Sequence, residues 1–471
     1  MLFNSIDFLL FLPVVFLLYQ ACHTARSQNA LIVVASYIFY GWWDARFLLL
    51  IAVTTVCSYA SGIAMERWDS RDGARSAALV ASIVVNLGIL ALFKYYNFFV
   101  SSLAGLLGMA GISLDWATLN VVLPVGISFY TFQALSYTID VYRRDVPAEH
   151  DTVAFFAFIS FFPQLVAGPI ERAGNLLPQF ASRRRFDYAG AVDGMRQMLW
   201  GFFKKLVIAD KCAETVDTIF ANSEMWNSPT LLYGLLLFAF QIYADFSGYS
   251  DIAIGTARLF GVRLMRNFNN PFFSVSVADL WRRWHISLMS WFRDYVYFPL
   301  GGSRRGKARK VLNTCAVFVL SGLWHGANWN YVAWGAYNAL LLVPRALSGK
   351  REKALEAMGY AERLARRIGV FALFLVGVAI FRTQSLADAW HFFGRLLTGG
   401  VAGGIMVIDH VVCFSIAAMM VVEWLQRGRQ HALQIDGVVR STALRVLIYY
   451  AIAAMIFWQG GHATQFIYFQ F

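Results

Sequence analysis

The chain has 471 residues, 58% hydrophobic and 14% charged, with 40 basic against 28 acidic side chains and a net charge of +12. Soluble domains carry about 25% charged residues, so this composition excludes an ordinary soluble domain. In so apolar a chain the basic excess reads as loops held on the cytoplasmic side of a membrane, not as a nucleic-acid footprint.

Apolar runs recur at 7–22, 30–43, 46–65, 77–95, 97–113, 119–138, 152–169, 190–208, 231–247, 312–324, 328–345, 368–383, 406–424 and 443–459. Crossing a bilayer core takes roughly 20 mostly apolar residues per helix. Several runs are short or charged, so the expectation is an all-α, polytopic transmembrane bundle of about 10 to 12 crossings plus re-entrant or interfacial helices. The runs do not alternate in polarity as barrel strands would. The first run has no basic residue before it and no small-x-small cleavage site after it, which is unlike a removable signal peptide.

Charge orients the runs. Arg26 follows the first; Arg67, Arg71 and Arg75 follow the third; Lys350, Arg351, Lys353, Arg363, Arg366 and Arg367 fill the polar stretch 348–367. Arg427, Arg429 and Arg440 form another basic loop, and no Lys or Arg follows Arg445. Basic loops kept in the cytoplasm predict a multi-pass protein of the cell inner membrane, with both termini extracytoplasmic and an even number of crossings. Within 348–367, Leu355, Met358, Ala361 and Leu364 recur at helical spacing, as in an amphipathic segment lying on anionic lipid headgroups; a plain solvated connector fits as well. There is no internal repeat and no linker, so the chain is expected to form one membrane domain over 1–471.

The stretch 267–334 stands apart, with Trp281, Arg282, Arg283, Trp284, His285, Trp291, Arg293, Trp324, His325, Trp329 and Trp334. Ionisable side chains at membrane depth are costly and face cavities or partners, so the chemistry is expected here. His325 lies at a break between two apolar helices, in Gly322-Leu323-Trp324-His325-Gly326. Flanking glycines would let it project into a cavity, and an imidazole titrating near neutrality can serve as general base. A histidine bonding between helices would show the same pattern. His285, on another helix, could face it as base, orienting group or interface anchor. Trp281, Arg282, Trp284, Trp324 and Asn328 are candidate substrate contacts.

Other chemistries find less support. There is no His-Glu-x-x-His, paired-cysteine spacing or carboxylate cluster beside the two histidines, so no metal site is expected. No serine has a Gly-x-Ser-x-Gly context. Gly301 to Lys307 imitates a phosphate-binding loop, but Ala308 replaces the magnesium-binding hydroxyl. The basic residues Arg304, Arg305, Lys307, Arg309 and Lys310 could instead hold coenzyme A phosphates or lipid headgroups. Asp245 and Asp251 read as structural, with Arg258 or Arg282 as possible partners. Cys22, Cys57, Cys212, Cys315 and Cys413 read as packing residues.

These segments together resemble the membrane-bound O-acyltransferase family, and most closely its alginate O-acetyltransferase branch. The resemblance runs from Met1-Leu2-Phe3-Asn4-Ser5 through Leu123-Pro124-Val125-Gly126-Ile127-Ser128-Phe129-Tyr130 and Phe162-Pro163-Gln164-Leu165-Val166-Ala167-Gly168-Pro169. It continues in Asp245-Phe246-Ser247-Gly248-Tyr249-Ser250-Asp251, Asn269-Asn270-Pro271-Phe272, Trp284-His285-Ile286-Ser287 and Leu323-Trp324-His325-Gly326. It implies that His325 is the essential catalytic histidine, that His285 is its second characteristic position, and that the bundle surrounds a funnel or tunnel. It further implies an acyl donor that is a cytoplasmic thioester, acetyl-CoA, with no bound cofactor. The acceptor would be an extracytoplasmic polysaccharide such as alginate, reached directly or through separate periplasmic acetyltransferase partners. Peptidoglycan O-acetylation and D-alanyl transfer are the same chemistry on other acceptors. A transporter or flippase with histidines along its path is the non-catalytic alternative, and it would be expected to show paired repeats.

Overall fold

The computed structural model describes residues 1–113, 118–119, 122–348, 355–460 and 466, and every regular element among them is helical. Lys350, Arg351 and Lys353 of the polar stretch, and residues 120–121 of the run expected at 119–138, lie outside the described residues. Among the described residues, five helical stretches are long and apolar enough to cross a membrane: Ala45–Arg67, Asp72–Met109, Ser228–Leu259, Tyr360–Arg382 and Thr442–Gln459. Ile6–Gln20 and His410–Leu425 are shorter apolar helices. This is a polytopic membrane helical bundle.

The surface chemistry is that of a protein solvated by lipid. Helix Ile6–Gln20 buries Phe8, Leu12, Val15 and Tyr19, yet its opposite face exposes Leu9, Leu10, Val14, Leu17 and Leu18. A helix apolar all round has no water-facing side. Polar side chains turn inward instead: Thr54, Thr55, Ser58, Ser82 and Asn86 are buried, and the Asn86 amide donates to Ser58 Oγ at 3.2 Å.

The chain divides into two compact units, 1–194 with 253–265, and 195–252 with 266–471. In the first, helices Ile6–Gln20, Ala25–Gly41, Leu48–Arg67 and Ile127–Arg143 gather around aromatic rings. Phe39 and Phe162 lie 5.5 Å apart between centroids, and Phe162 and Phe260 lie 5.7 Å apart. Arg184 is buried there, its guanidinium donating to Asn29 Oδ1 at 2.7 Å and to the Tyr19 hydroxyl. The runs predicted at 77–95 and 97–113 merge into one stretch, Asp72–Met109, carried through a π-helical segment at Ala91–Tyr95.

In the second unit, helices Gly306–His325 and Trp329–Ser348 form a tight hairpin. A Cβ on Gly322 would stand 2.1 Å from the Tyr331 carbonyl oxygen, and one on Gly335 would stand 2.3 Å from that of Phe318. Only glycine lets the two backbones approach so closely. Of the polar stretch, Leu355–Ala357 forms a single 3-10 turn, while Ala361 and Leu364 belong to the opening turns of Tyr360–Arg382.

Candidate functional site

All the candidate residues lie in the second unit, and the backbone around His285 is where their arrangement begins. Helix Val277–Arg283 stops, Trp284 is extended, and His285 takes the left-handed conformation (φ 46°, ψ 54°) before helix Ile286–Phe292 starts. That conformation costs a non-glycine residue about 1–2 kcal/mol, and the segment preceding Asn270 holds it in place. The Asn269 N–H donates to the Arg283 carbonyl, and the Ile286 N–H to the Asn267 carbonyl, both at 2.9 Å. The Asn267 side chain grips the same turn. Its Oδ1 accepts from the Ser287 hydroxyl at 3.0 Å and the Ser287 N–H at 3.3 Å, and stands 3.1 Å from His285 Nδ1.

His325 is the last residue of helix Gly306–His325, and its ring lies 6.5 Å from that of His285 between centroids. Both are buried, at 1% and 5% exposure. Aromatic rings enclose the pair. Phe246 stands edge-on to His285 at 4.6 Å, and Trp324 bridges both histidines at 5.7 and 5.1 Å. Trp334 and Phe381 close on His325 at 5.1 and 5.5 Å. The flanking glycines therefore do not open space around His325, as the sequence pattern suggests. Gly322 is taken up by the Tyr331 backbone, and a Cβ on Gly326 would be 2.1 Å from the Tyr331 ring. Burial, with His325 beside it, pushes the His285 imidazole well below its ordinary range, the direction that favours the uncharged ring.

The other candidates divide. Trp324 belongs to the pair. Trp281 reaches it through Trp334, with centroids 5.5 Å apart. Trp284 packs against Phe268 at 5.2 Å and Phe374 at 5.1 Å, and Phe268 meets Phe246 at 5.1 Å. Arg282 is turned outward, 57% exposed and 3.9 Å from Asp279. Asn328 caps the hairpin: its Oδ1 accepts from the Asn330 N–H, and its amide donates to the Gln384 carbonyl at 3.0 Å. Asn267, Ser287, Phe246 and Phe381 are absent from the sequence-based set. Asn267 left a trace there as a polar residue opening the Trp- and His-rich stretch, and Phe246 and Ser287 fall within segments that carry the family resemblance.

Asp245 and Asp251 form ion pairs with lysines. Lys205 Nζ lies 2.6 Å from Asp245 and 2.8 Å from Asp210, while Lys204 Nζ lies 2.6 Å from Asp251 and 4.0 Å from Glu423. Arg258 pairs with Asp193. The sequence could not show this, because Lys204 and Lys205 sit inside an apolar run and face inward only through the π-helical segment Phe203–Ala209.

Residues 37–381 match the model of MBOAT, the membrane-bound O-acyltransferase family. The chain is 40% identical over 402 residues to the probable alginate O-acetylase AlgI of Azotobacter vinelandii, covering 85% of this chain and 79% of that protein. The same identity over the same length holds for the probable alginate O-acetylase AlgI of Pseudomonas aeruginosa, covering 75% of it. A peptidoglycan O-acetyltransferase of Helicobacter pylori is 33% identical over 391 residues, 75% of this chain and 72% of its own. The chain belongs to the membrane-bound O-acyltransferase family and is an acyltransferase.

Proposed function

We propose that the protein moves an acetyl group from cytoplasmic acetyl-CoA to a hydroxyl of an extracytoplasmic polysaccharide, alginate or a related polymer, with His325 as general base. The observation that carries this reading is the buried His285–His325 pair, walled by aromatic rings, at one end of helix Gly306–His325. The far end of that helix holds exposed Arg304, Arg305 and Lys307. A 20-residue helix is about 30 Å long, close to the thickness of a bilayer core. With the basic turn in the cytoplasm, His325 is carried toward the opposite face. The basic turn is then positioned to meet the phosphates of a coenzyme A donor.

In the proposed reaction, His325 takes the proton of the acceptor hydroxyl as the oxygen attacks the thioester carbonyl carbon. The tetrahedral intermediate collapses, the C–S bond breaks, and the departing thiolate takes the proton back from the imidazolium. One ester forms and one free thiol is released. His285 would help position donor and acceptor. The relatives' names include both alginate and peptidoglycan as acceptors. The immediate acceptor could equally be the hydroxyl of a separate periplasmic partner that completes the transfer. The inner membrane is the proposed location.

The test is release of free thiol from acetyl-CoA by detergent-purified protein, with acceptor oligosaccharides present. His325→Ala is expected to lower it by about 100-fold or more while the variant elutes as a folded protein. Equal release from both would remove His325 from the mechanism.

A further inference from the structure

Asn267 is completely buried, and the identities of its two terminal atoms are set by its surroundings. One of them faces the Ser287 backbone nitrogen at 3.3 Å, the Ser287 hydroxyl at 3.0 Å and His285 Nδ1 at 3.1 Å. The other lies 3.3 Å from Ser250 Oγ. A backbone N–H can only donate, so the atom facing Ser287 is the amide oxygen, and the NH2 group is the one that reaches Ser250. An amide oxygen can only accept, so His285 Nδ1 carries a hydrogen. A neutral imidazole has one N–H, which leaves the lone pair on Nε2.

We propose that Asn267 is a positioning residue that fixes His285 as the Nδ1–H tautomer and makes Nε2 its proton-accepting nitrogen. Two features of the fold support the assignment. The main chain of Asn267 holds the left-handed turn through its carbonyl, which accepts from the Ile286 N–H at 2.9 Å, so ring and amide are fixed to the same segment. Ser250, the acceptor for the amide NH2, is on helix Ser228–Leu259, which also sets Phe246 against the imidazole. His325 faces the ring, with centroids 6.5 Å apart. The carboxylates on the Phe246 helix, Asp245 and Asp251, are held by Lys205 and Lys204. The catalytic value of a fixed tautomer rests on the acyl-transfer reading; the tautomer itself does not.

Two measurements on the full-length protein in detergent test this. The first needs no turnover: imidazole nitrogen NMR of protein labelled at its 8 histidines, with the His285 signals assigned by difference from His285→Gln. The expected result is a protonated Nδ1 and an unprotonated Nε2 in the wild type, with that pattern lost in Asn267→Ala. A protonated Nε2 in the wild type would overturn the proposal. The second is the pH dependence of thiol release. Asn267→Asp keeps the acceptor and adds a charge beside the imidazole, which favours its cationic form. The acidic limb of kcat is then expected to move up by about one pH unit or more. Asn267→Ala is expected to lower kcat by about tenfold or more with KM for acetyl-CoA nearly unchanged. A purely structural role would not move the acidic limb, so an Asn267→Asp profile superimposed on the wild type would sink the idea. A silent wild-type protein would count against acyl transfer, while the NMR arm would still decide the tautomer.

Discussion

Gly326 follows His325 with an extended backbone (φ −166°, ψ 153°), a conformation open to any residue, so the glycine is there for space. Tyr331 fills that space: carbons of its ring would lie 2.1 and 2.4 Å from a Cβ at position 326. The Tyr331 ring in turn packs on Phe381 at 4.9 Å, and Phe381 packs on His325. Gly326→Ala must therefore shift the tyrosine or the histidine. The expected cost is about 1–3 kcal/mol of stability, read as a lowered midpoint in detergent thermal unfolding, together with a loss of thiol release. In a Tyr331→Ala background the alanine at position 326 should cost less than it does beside the tyrosine, as a double-variant cycle reads it. A single variant with wild-type stability and turnover would show that the contact is slack. The two histidines were legible in the sequence because imidazoles in an apolar stretch demand an explanation. Their supports were not, since Phe246 and Phe381 are unremarkable in a chain that is 16% aromatic.

Helices were the most legible elements, because an apolar run of the right length has few alternatives in lipid. Their interruptions were not. The turn at Trp284–His285 contains neither glycine nor proline and is imposed by Asn267 and Asn269, which lie 16 to 18 residues earlier in the sequence. The π-helical segment Phe203–Ala209 has an ordinary apolar composition, yet it points both Lys204 and Lys205 inward, each only 3% exposed. Lys204 holds Asp251 and approaches Glu423, which itself accepts from the Tyr243 hydroxyl at 2.8 Å. Removing one partner of a buried ion pair leaves an uncompensated charge and costs about 3–5 kcal/mol. Lys204→Met should therefore unfold at markedly lower temperature, and Lys204→Met combined with Asp251→Asn should recover part of the loss. If the double variant is no more stable than the single one, the lysine stabilises by packing alone. The hairpin gives a second prediction at this scale. Gly335→Ala puts a methyl group 2.3 Å from the Phe318 carbonyl oxygen, forcing apart the helices that carry His325 and Trp334. Thiol release should fall by more than the thermal midpoint would suggest; a variant matching the wild type in both would show that the helices have room to spare.

In each unit several basic contacts gather at one end, while Arg46 pairs with Asp44 at the other end of the first unit and Arg382 with Asp217 beside Phe381 in the second. In the first unit, Asp69 lies 3.4 Å from Arg75 and 2.9 Å from Arg144, joining two loops at one end. The other end joins the Met1 amino group to the Phe39 carbonyl at 2.9 Å and the Tyr40 hydroxyl to the Val125 carbonyl at 2.8 Å, without arginine or lysine in either bond. In the second unit, Arg367 and Arg427 both lie over the Trp424 ring, at 4.7 and 4.4 Å. Helix Tyr360–Arg382 runs from that basic end to Phe381, beside His325. If basic ends face the cytoplasm, the loops at 113 and 402 face outward and those at 70, 303 and 428 face inward. Single cysteines at these exposed positions, in a background with the five native cysteines replaced, give a direct measurement. A membrane-impermeant thiol reagent applied to spheroplasts should label Ser113→Cys and Ala402→Cys at once. Ser70→Cys, Ser303→Cys and Gly428→Cys should be labelled only after permeabilisation. The opposite pattern would place His325 toward the cytoplasm and remove the geometric support for an external acceptor. Labelling of Ser70→Cys and Ser303→Cys from opposite sides would separate the basic loops and leave the positive-inside reading without force in this protein.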